Sequence, residues 1–546
     1  MGSSLPRWTF AASAAMALAG CVGEIGDAGS SSNPTDTGIQ SEDPTTAIPR
    51  LSRRELDATI ADVFGIVGAA ERNLAADPKM AVNPATNAEQ EVFDTLAASK
   101  TASQVFVDGL ESLAFEVARD VSADTAAVDE LAGCTPTGTP DEACLESFIR
   151  NVGLRLWRRQ LTDAEVESLL ATVAPLATDP AAGANGHYVA VRGAIASLIV
   201  SPELVYRTEI GAPVDDGIVK LDNFELISRL SYFLWGTTPT PELLARAQGA
   251  ELSDAEVASL VDELLGDARG TEQMRVFHEL WLRYTSLLVT DEALASDMRA
   301  ETDALVDRAL DAEAGDWTTL LTADETFVTP ALATHYGLQA PTEAAWVSYG
   351  EDRAGVLSHG SFLSLSQTKL TDTLPSRRGA MIARRLLCQV ILPPPPNVAI
   401  DMGVTVPAGE CKSDAYEAHA SGSCKGCHTV IDGIGFGFER YDGLGRFREV
   451  EPDNPACSID GAGEFAGEAF AGPRELVDEN LDLIADCAVE NLLRFAMHDW
   501  SASDEHLERM TQVFRDSGFD FTELMRAVAK DPSFRHRRDT ASEVSP

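Results

Sequence analysis

The residues Asp222-Asn223-Phe224-Glu225-Leu226-Ile227-Ser228-Arg229-Leu230-Ser231-Tyr232-Phe233-Leu234-Trp235-Gly236 decide the fold class. Asp222 and Glu225 stand at capping-box spacing, in which the first side chain caps the helix and the second reaches back to the cap's own N–H. Behind them Leu226, Ile227, Leu230, Phe233 and Leu234 recur at the three- and four-residue steps that gather apolar side chains on one helix face. Gly236 supplies the stop. Thr240 before Pro241 then starts the next helix, because proline is preorganised for the first helical position.

Outward from this stretch the same opening recurs. Ser52-x-x-Glu55, Thr162-x-x-Glu165 and Ser253-x-x-Glu256 each follow a leucine and precede apolar residues at helical spacing. Residues 143 to 209 read as helical, and so does the chain to about Leu321, with Phe277, Leu280 and Trp281 as expected core anchors. No alternating run is long enough for a major sheet, although short strands are expected around 345 to 349 and 457 to 470. The expected fold class is mainly α.

A chain of 546 residues with 45% hydrophobic side chains has enough apolar surface for several helical modules. Its 86 acidic against 42 basic residues give a net charge of −44, which repels nucleic acid phosphates and anionic lipid surfaces. Nucleic acid is therefore excluded as a partner. The acidity serves solubility or, alternatively, a docking surface for a cationic redox partner.

At the start, Arg7 precedes an apolar run from Trp8 to Ala19 that is too short to span a bilayer, which is the pattern of an export signal. The run closes on Leu18-Ala19-Gly20-Cys21, which resembles the lipobox of bacterial lipoproteins. That resemblance implies an acylated Cys21 as mature N-terminus and a durable membrane anchor. Residues 22 to 48 are rich in Gly, Ser, Thr, Asp, Asn and Pro and read as a disordered tether.

Cys424-Lys425-Gly426-Cys427-His428 carries the chemistry. The C-x-x-C-H spacing sets two thiols about one helical turn apart, able to add to the two vinyl groups of a haem, and lets the following histidine ligate its iron. The expected cofactor is one covalent haem c, held by Cys424 and Cys427 with His428 as proximal ligand. The alternatives are a zinc site borrowing Cys411 or His419, or a disulfide with an idle histidine. With this segment the body becomes a multi-module helical fold carrying a small loop-rich c-type haem segment.

Six cysteines remain besides Cys21, Cys424 and Cys427, an even number that suits disulfides in an exported chain. Cys134 and Cys144 bracket the turn-rich Thr135-Pro136-Thr137-Gly138-Thr139-Pro140 and are expected to pair. For the other four three pairings exist. The preferred one joins Cys411 to Cys457 across the haem motif and leaves Cys388 with Cys487.

After His428 come Gly433, Gly435 and Gly437, which lack the strand and lysine of a phosphate loop and are read as allowing backbone to approach a flat ring, walled by Phe436 and Phe438. Pro393 to Pro396 read as a stiff surface connector. Arg377, Arg378, Arg446 and Arg448 are candidates for the haem propionates, since guanidinium pairs carboxylates in a forked geometry.

Leu51 to Leu56, Leu156 to Thr162, Arg229 to Trp235, Arg353 to Leu363, Arg378-Gly379, Leu386-Leu387-Cys388, Pro393 to Pro396, the haem motif with its Gly-Phe-Glu-Tyr-Asp-Gly continuation, and Pro532 to Arg535 form a set. Together they resemble a family of exported bacterial proteins built from tandem domains of unknown function associated with planctomycete-type cytochrome c modules. The resemblance covers nearly everything after residue 49 and implies no settled activity. Where the family reads Asp-Pro, this chain has Asp432-Gly433, so no proline stiffens the backbone there. The module order expected is a lipoprotein signal (1–20), a disordered tether (21–48), an N-terminal helical module (49–142), a second (143–215) and a third (216–345) helical module, a haem-motif module (346–465) and a C-terminal helical module (466–540).

The sixth iron ligand has four candidates: Met402, Met497, His498 and His419, the last resembling a histidine often found at that place in the family. A haem closed by one of them suits electron transfer, whereas an open face permits small-molecule chemistry. The leading expectation is a lipid-anchored electron-transfer protein on the periplasmic side or cell surface, with the membrane and a redox protein as partners. The alternatives are a haem-dependent oxidative or peroxidase-like enzyme, or a binding or assembly protein with a structural haem or metal.

Overall fold

All four capping boxes form, and they show why the chain breaks into helices where it does. At Asp222 the backbone N–H donates to Glu225 Oε2 at 2.8 Å while the Glu225 N–H donates to Asp222 Oδ1 at 2.9 Å. The helix Asn223–Trp235 then runs to Gly236, whose φ of 70° ends it. Caps of this kind stabilise a helix by about 1 kcal/mol each. Against expectation, this helix is buried on its polar side as well. Arg229 is 2% exposed, pairs with Glu209 and donates to the carbonyls of Phe534 at 2.8 Å and His536 at 3.1 Å. The end of the chain covers what the periodicity alone leaves facing water.

The computed structural model describes residues 48–83, 88–100, 102–178, 185–215, 217–311, 316–350, 353–366, 373–391, 404–419, 425–499 and 503–538. Cys21 and the expected signal, the tether except its last residue, and Pro393 to Pro396 lie outside them. The helices Arg53–Phe64, Gln104–Ala123, Glu142–Trp157 and Gly186–Val200 share one core that runs from Leu51 to Tyr206 and adds Tyr232. Residues of the first two expected modules thus pack together. A second core gathers residues from Leu221 to Phe534, and Phe93 joins it by packing against Phe277 and Phe495. A smaller one holds Met298, Val328, Leu332, Ala333 and Tyr336.

The fold is mainly α, with small antiparallel sheets. Ala345–Ser348 pairs with Glu325–Val328, and Ala462–Phe465 with Glu468–Ala471, close to where short strands are expected. Met80–Asn83 with Ala88–Glu91, and the sheet of Ala212–Asp215, Ile218–Lys220 and His536–Arg538, are not foreseen. Three disulfides join Cys134 to Cys144, Cys388 to Cys487 and Cys411 to Cys457, with Cα separations of 5.9, 5.3 and 5.5 Å. Among the described residues no helix is long and apolar enough to cross a membrane.

Candidate haem-attachment site

The motif lies at the start of the helix Lys425–Phe436. Cys424 precedes it and falls outside the described residues, Cys427 is exposed with a free thiol, and His428 follows in the first turn. Four residues later on the same face, Asp432 Oδ2 lies 2.8 Å from His428 Nδ1. Its other oxygen accepts from Ser376 Oγ at 2.5 Å, across the interface with the helix Pro375–Arg385. A carboxylate only accepts, so Nδ1 donates, and in the neutral ring the lone pair then belongs to Nε2. His428 is thereby fixed in the tautomer that a metal ligand requires.

The expected role of the glycines is corrected. A Cβ on Gly435 would come within 2.0 Å of the Pro375 carbonyl oxygen, one on Gly433 within 2.5 Å of that of Glu464, and one on Gly437 within 2.3 Å of the Phe470 ring. These glycines let the motif helix press against the Pro375–Arg385 helix and the 462–471 hairpin. They do not make room for a ring, because protein backbone and side chain already fill that space. Gly433 is helical, and a proline there would meet the hairpin. Phe438 is fully buried in the main core and is no wall of a site, while Phe436 packs edge-on to Tyr416 with ring centroids 5.4 Å apart.

The arginine candidates are corrected likewise. Arg378 is fully buried and donates to the carbonyls of Phe438 at 2.7 Å, Tyr441 at 2.8 Å and Asp442 at 3.1 Å, where the chain leaves the motif helix. Burial pulls its guanidinium down to about 10, against the opposing charge of Glu439. Arg448 donates to Glu439 Oε2 at 2.8 Å and to Thr373 Oγ1 at 2.6 Å, and Lys412 reaches the same carboxylate at 3.4 Å. Arg446 holds Asp442 at 2.6 Å within its own turn. These three serve the protein's own carbonyls and carboxylates. Arg377 is exposed and stays a candidate for a propionate.

Two of the four sixth-ligand candidates are placed elsewhere. Met497 is 7% exposed in the main core at the end of the helix Gly472–Met497. His498 follows it, 3% exposed; its carbonyl accepts from the Ala97 N–H at 3.1 Å. Burial, reinforced by Arg207, Lys100 and Arg229, pushes its imidazole well below the ordinary histidine range. These neighbours belong to the meeting of the N- and C-terminal parts of the chain, not to the surroundings of His428. Met402 and the side chain of His419 lie outside the described residues.

The donor set fits a covalently bound haem. An exposed motif thiol and the next histidine share the first turn of one helix, and a carboxylate orients the imidazole with its lone pair on Nε2. The zinc alternative loses Cys411, whose sulfur is bonded to Cys457. Asp432 and Ser376 are the residues missed in the sequence. The signal was available for Asp432, a carboxylate four residues after a ligand histidine within a helix.

A second polar cluster, also missed, ties the neighbouring segments together. Glu301, 1% exposed, accepts from Thr326 Oγ1 at 2.6 Å and Tyr336 OH at 2.7 Å, and the fully buried His359 lies 3.7 Å away. Burial pushes the Glu301 carboxyl up to about 7; burial, aided by Arg353, pulls His359 down to about 3.

Comparison with known families finds three matches in tandem. Residues 144–209 match PSD5, a protein of unknown function (DUF1595); residues 221–338 match PSD4, a protein of unknown function (DUF1592); and residues 353–451, which contain the motif, match PSCyt3, a protein of unknown function (DUF1588). Comparison with curated proteins and with solved structures finds no match. With these three modules in order, spanning just over half of its length and ending on the one that holds His428 and Asp432, the chain belongs to the multi-module family of tandem domains of unknown function associated with planctomycete-type cytochrome c modules.

Proposed function

We propose that this protein is an extracytoplasmic electron carrier with one covalent c-type haem, tethered to a membrane through an acylated Cys21. The observation that carries the haem assignment is the 2.8 Å contact of His428 Nδ1 with Asp432, one residue after an exposed thiol at the start of a helix. A carboxylate so placed orients a histidine toward a metal, and the C-x-x-C-H spacing around it selects haem over zinc. The PSCyt3 match over the same residues agrees with it. Export is supported by the apolar run before Cys21 and by three disulfides in the body.

The test is protein exported from a host with cytochrome c maturation machinery. Haem stain on a denaturing gel is expected for the wild type and lost in Cys424→Ala with Cys427→Ala, and zinc in place of haem would overturn the reading. Palmitate labelling is expected in the wild type and absent from Cys21→Ser. A second reading, a peroxidase-like enzyme, is favoured by one observation: Met497 and His498 are buried in the core, leaving fewer residues to close the haem. Rapid carbon monoxide binding to the reduced protein would move that reading to first place.

A further inference from the structure

The chain places a carboxylate directly behind the proximal imidazole. Asp432 is 7% exposed and has its two oxygens divided between two partners, His428 Nδ1 at 2.8 Å and Ser376 Oγ at 2.5 Å. Ser376 stands in the first turn of the helix Pro375–Arg385, against which the motif helix is pressed through Gly379 and Gly435. The orientation of the carboxylate is therefore set from a second helix and does not depend on its own rotamer alone. A hydrogen bond from Nδ1–H to a carboxylate draws the proton away from the ring and makes Nε2 a stronger electron donor than a bond to a neutral acceptor does. A stronger donor favours the more positive oxidation state of the metal it ligates.

We propose that Asp432, oriented by Ser376, is a positioning residue that lowers the reduction potential of the haem by increasing the donor strength of His428. This inference rests on the haem assignment above and goes beyond it. It gives Asp432 an electronic role that neither covalent attachment nor packing requires. Ser376 contributes by holding Oδ1, leaving Oδ2 to His428 Nδ1.

Potentiometric titration of the purified, haem-loaded full chain tests the proposal, with ferric and ferrous spectra taken alongside. Asp432→Asn keeps a hydrogen-bond acceptor of the same size but removes the charge. It is expected to raise the ferrous-to-ferric ratio at a fixed poise about tenfold, a midpoint shift of about 59 mV for a one-electron couple. Asp432→Glu, which restores the charge, is expected to return the midpoint toward that of the wild type. Ser376→Ala touches neither the imidazole nor the thiols and is expected to shift the midpoint by a smaller amount, while haem attachment is kept. Unchanged midpoints in Asp432→Asn and Ser376→Ala overturn the proposal. If Asp432→Asn fails to mature, Ser376→Ala alone decides it. A wild type that carries no haem on a denaturing gel overturns the underlying assignment instead, so the two failures are distinguishable.

Discussion

Gly379 lies against Ile431 so closely that a Cβ added to it would come within 1.7 Å of the Ile431 carbonyl oxygen. The obstacle is backbone, which cannot swing aside as a side chain can. Gly379→Ala is therefore expected to push the motif helix away from its partner. The cost expected is about 1–3 kcal/mol of stability, the usual range for overpacking. Urea unfolding measures that loss, and haem stain per milligram measures the accompanying fall in attachment. An alanine variant as stable as the wild type would show that the two helices are free to separate.

Removing Arg378 leaves the carbonyls of Phe438, Tyr441 and Asp442 without their donor, and Glu439 loses one of its cationic neighbours. Arg378→Met is expected to destabilise by about 3–5 kcal/mol, as breaking a buried charged network does. Arg378→Lys keeps the charge but not the fork that reaches several carbonyls, so it is expected to recover only part of the loss. Arg377→Met, at an exposed position one residue away, is expected to leave the unfolding midpoint unchanged.

Glu301 makes stability depend on pH. Folded, its carboxyl holds the proton up to about 7, whereas its ordinary value is 4.5. Its contribution is thus fully present below about 4.5 and is lost as pH rises through 7. His359 acts in the opposite sense: its contribution is present above 6.5 and is lost as pH falls toward 3. From pH 5 to pH 8 the stability of the wild type relative to Glu301→Gln is expected to fall by about 2–3 kcal/mol. Urea titrations of both proteins at the two pH values check this, and parallel pH dependence would rule it out.

A closed haem would take its sixth ligand from Met402 or His419, because Met497 and His498 are committed to packing. Single alanine substitutions at the first two positions are expected to include the one that turns the spectrum high-spin. His498→Ala is expected to lower stability and leave the spectrum alone. A high-spin His498→Ala protein with normal stability would overturn that assignment.

The helical frame was legible because its signals are local. Ser52 with Glu55, Thr162 with Glu165, Asp222 with Glu225 and Ser253 with Glu256 each need only their own turn to form, and all four do. The pairing of Cys388 with Cys487 was reached by elimination, since nothing near either residue announces the other. The role of Arg378 was not legible: three backbone carbonyls more than fifty residues away leave no mark in composition or spacing. The same holds for Gly435, whose partner is a carbonyl of Pro375. In both cases a flexible basic residue or a bare glycine reads as serving a ligand when its real partner is distant backbone.

The three disulfides also bear on how the motif thiols are kept from the wrong chemistry. Thioether formation needs reduced sulfur, while an oxidising compartment drives thiols into disulfides. In each of the three bonds at least one sulfur belongs to a buried residue, with Cys144 5%, Cys457 3% and Cys487 1% exposed. A thiolate can attack either sulfur, and folding leaves only the partly buried Cys134, Cys388 and Cys411 within reach of an attacker as exposed as Cys427. On the haem reading proposed above, folding of the body works as a sorting step: it consumes the cysteines meant for oxidation and leaves the motif's chemistry to whatever delivers the vinyl groups.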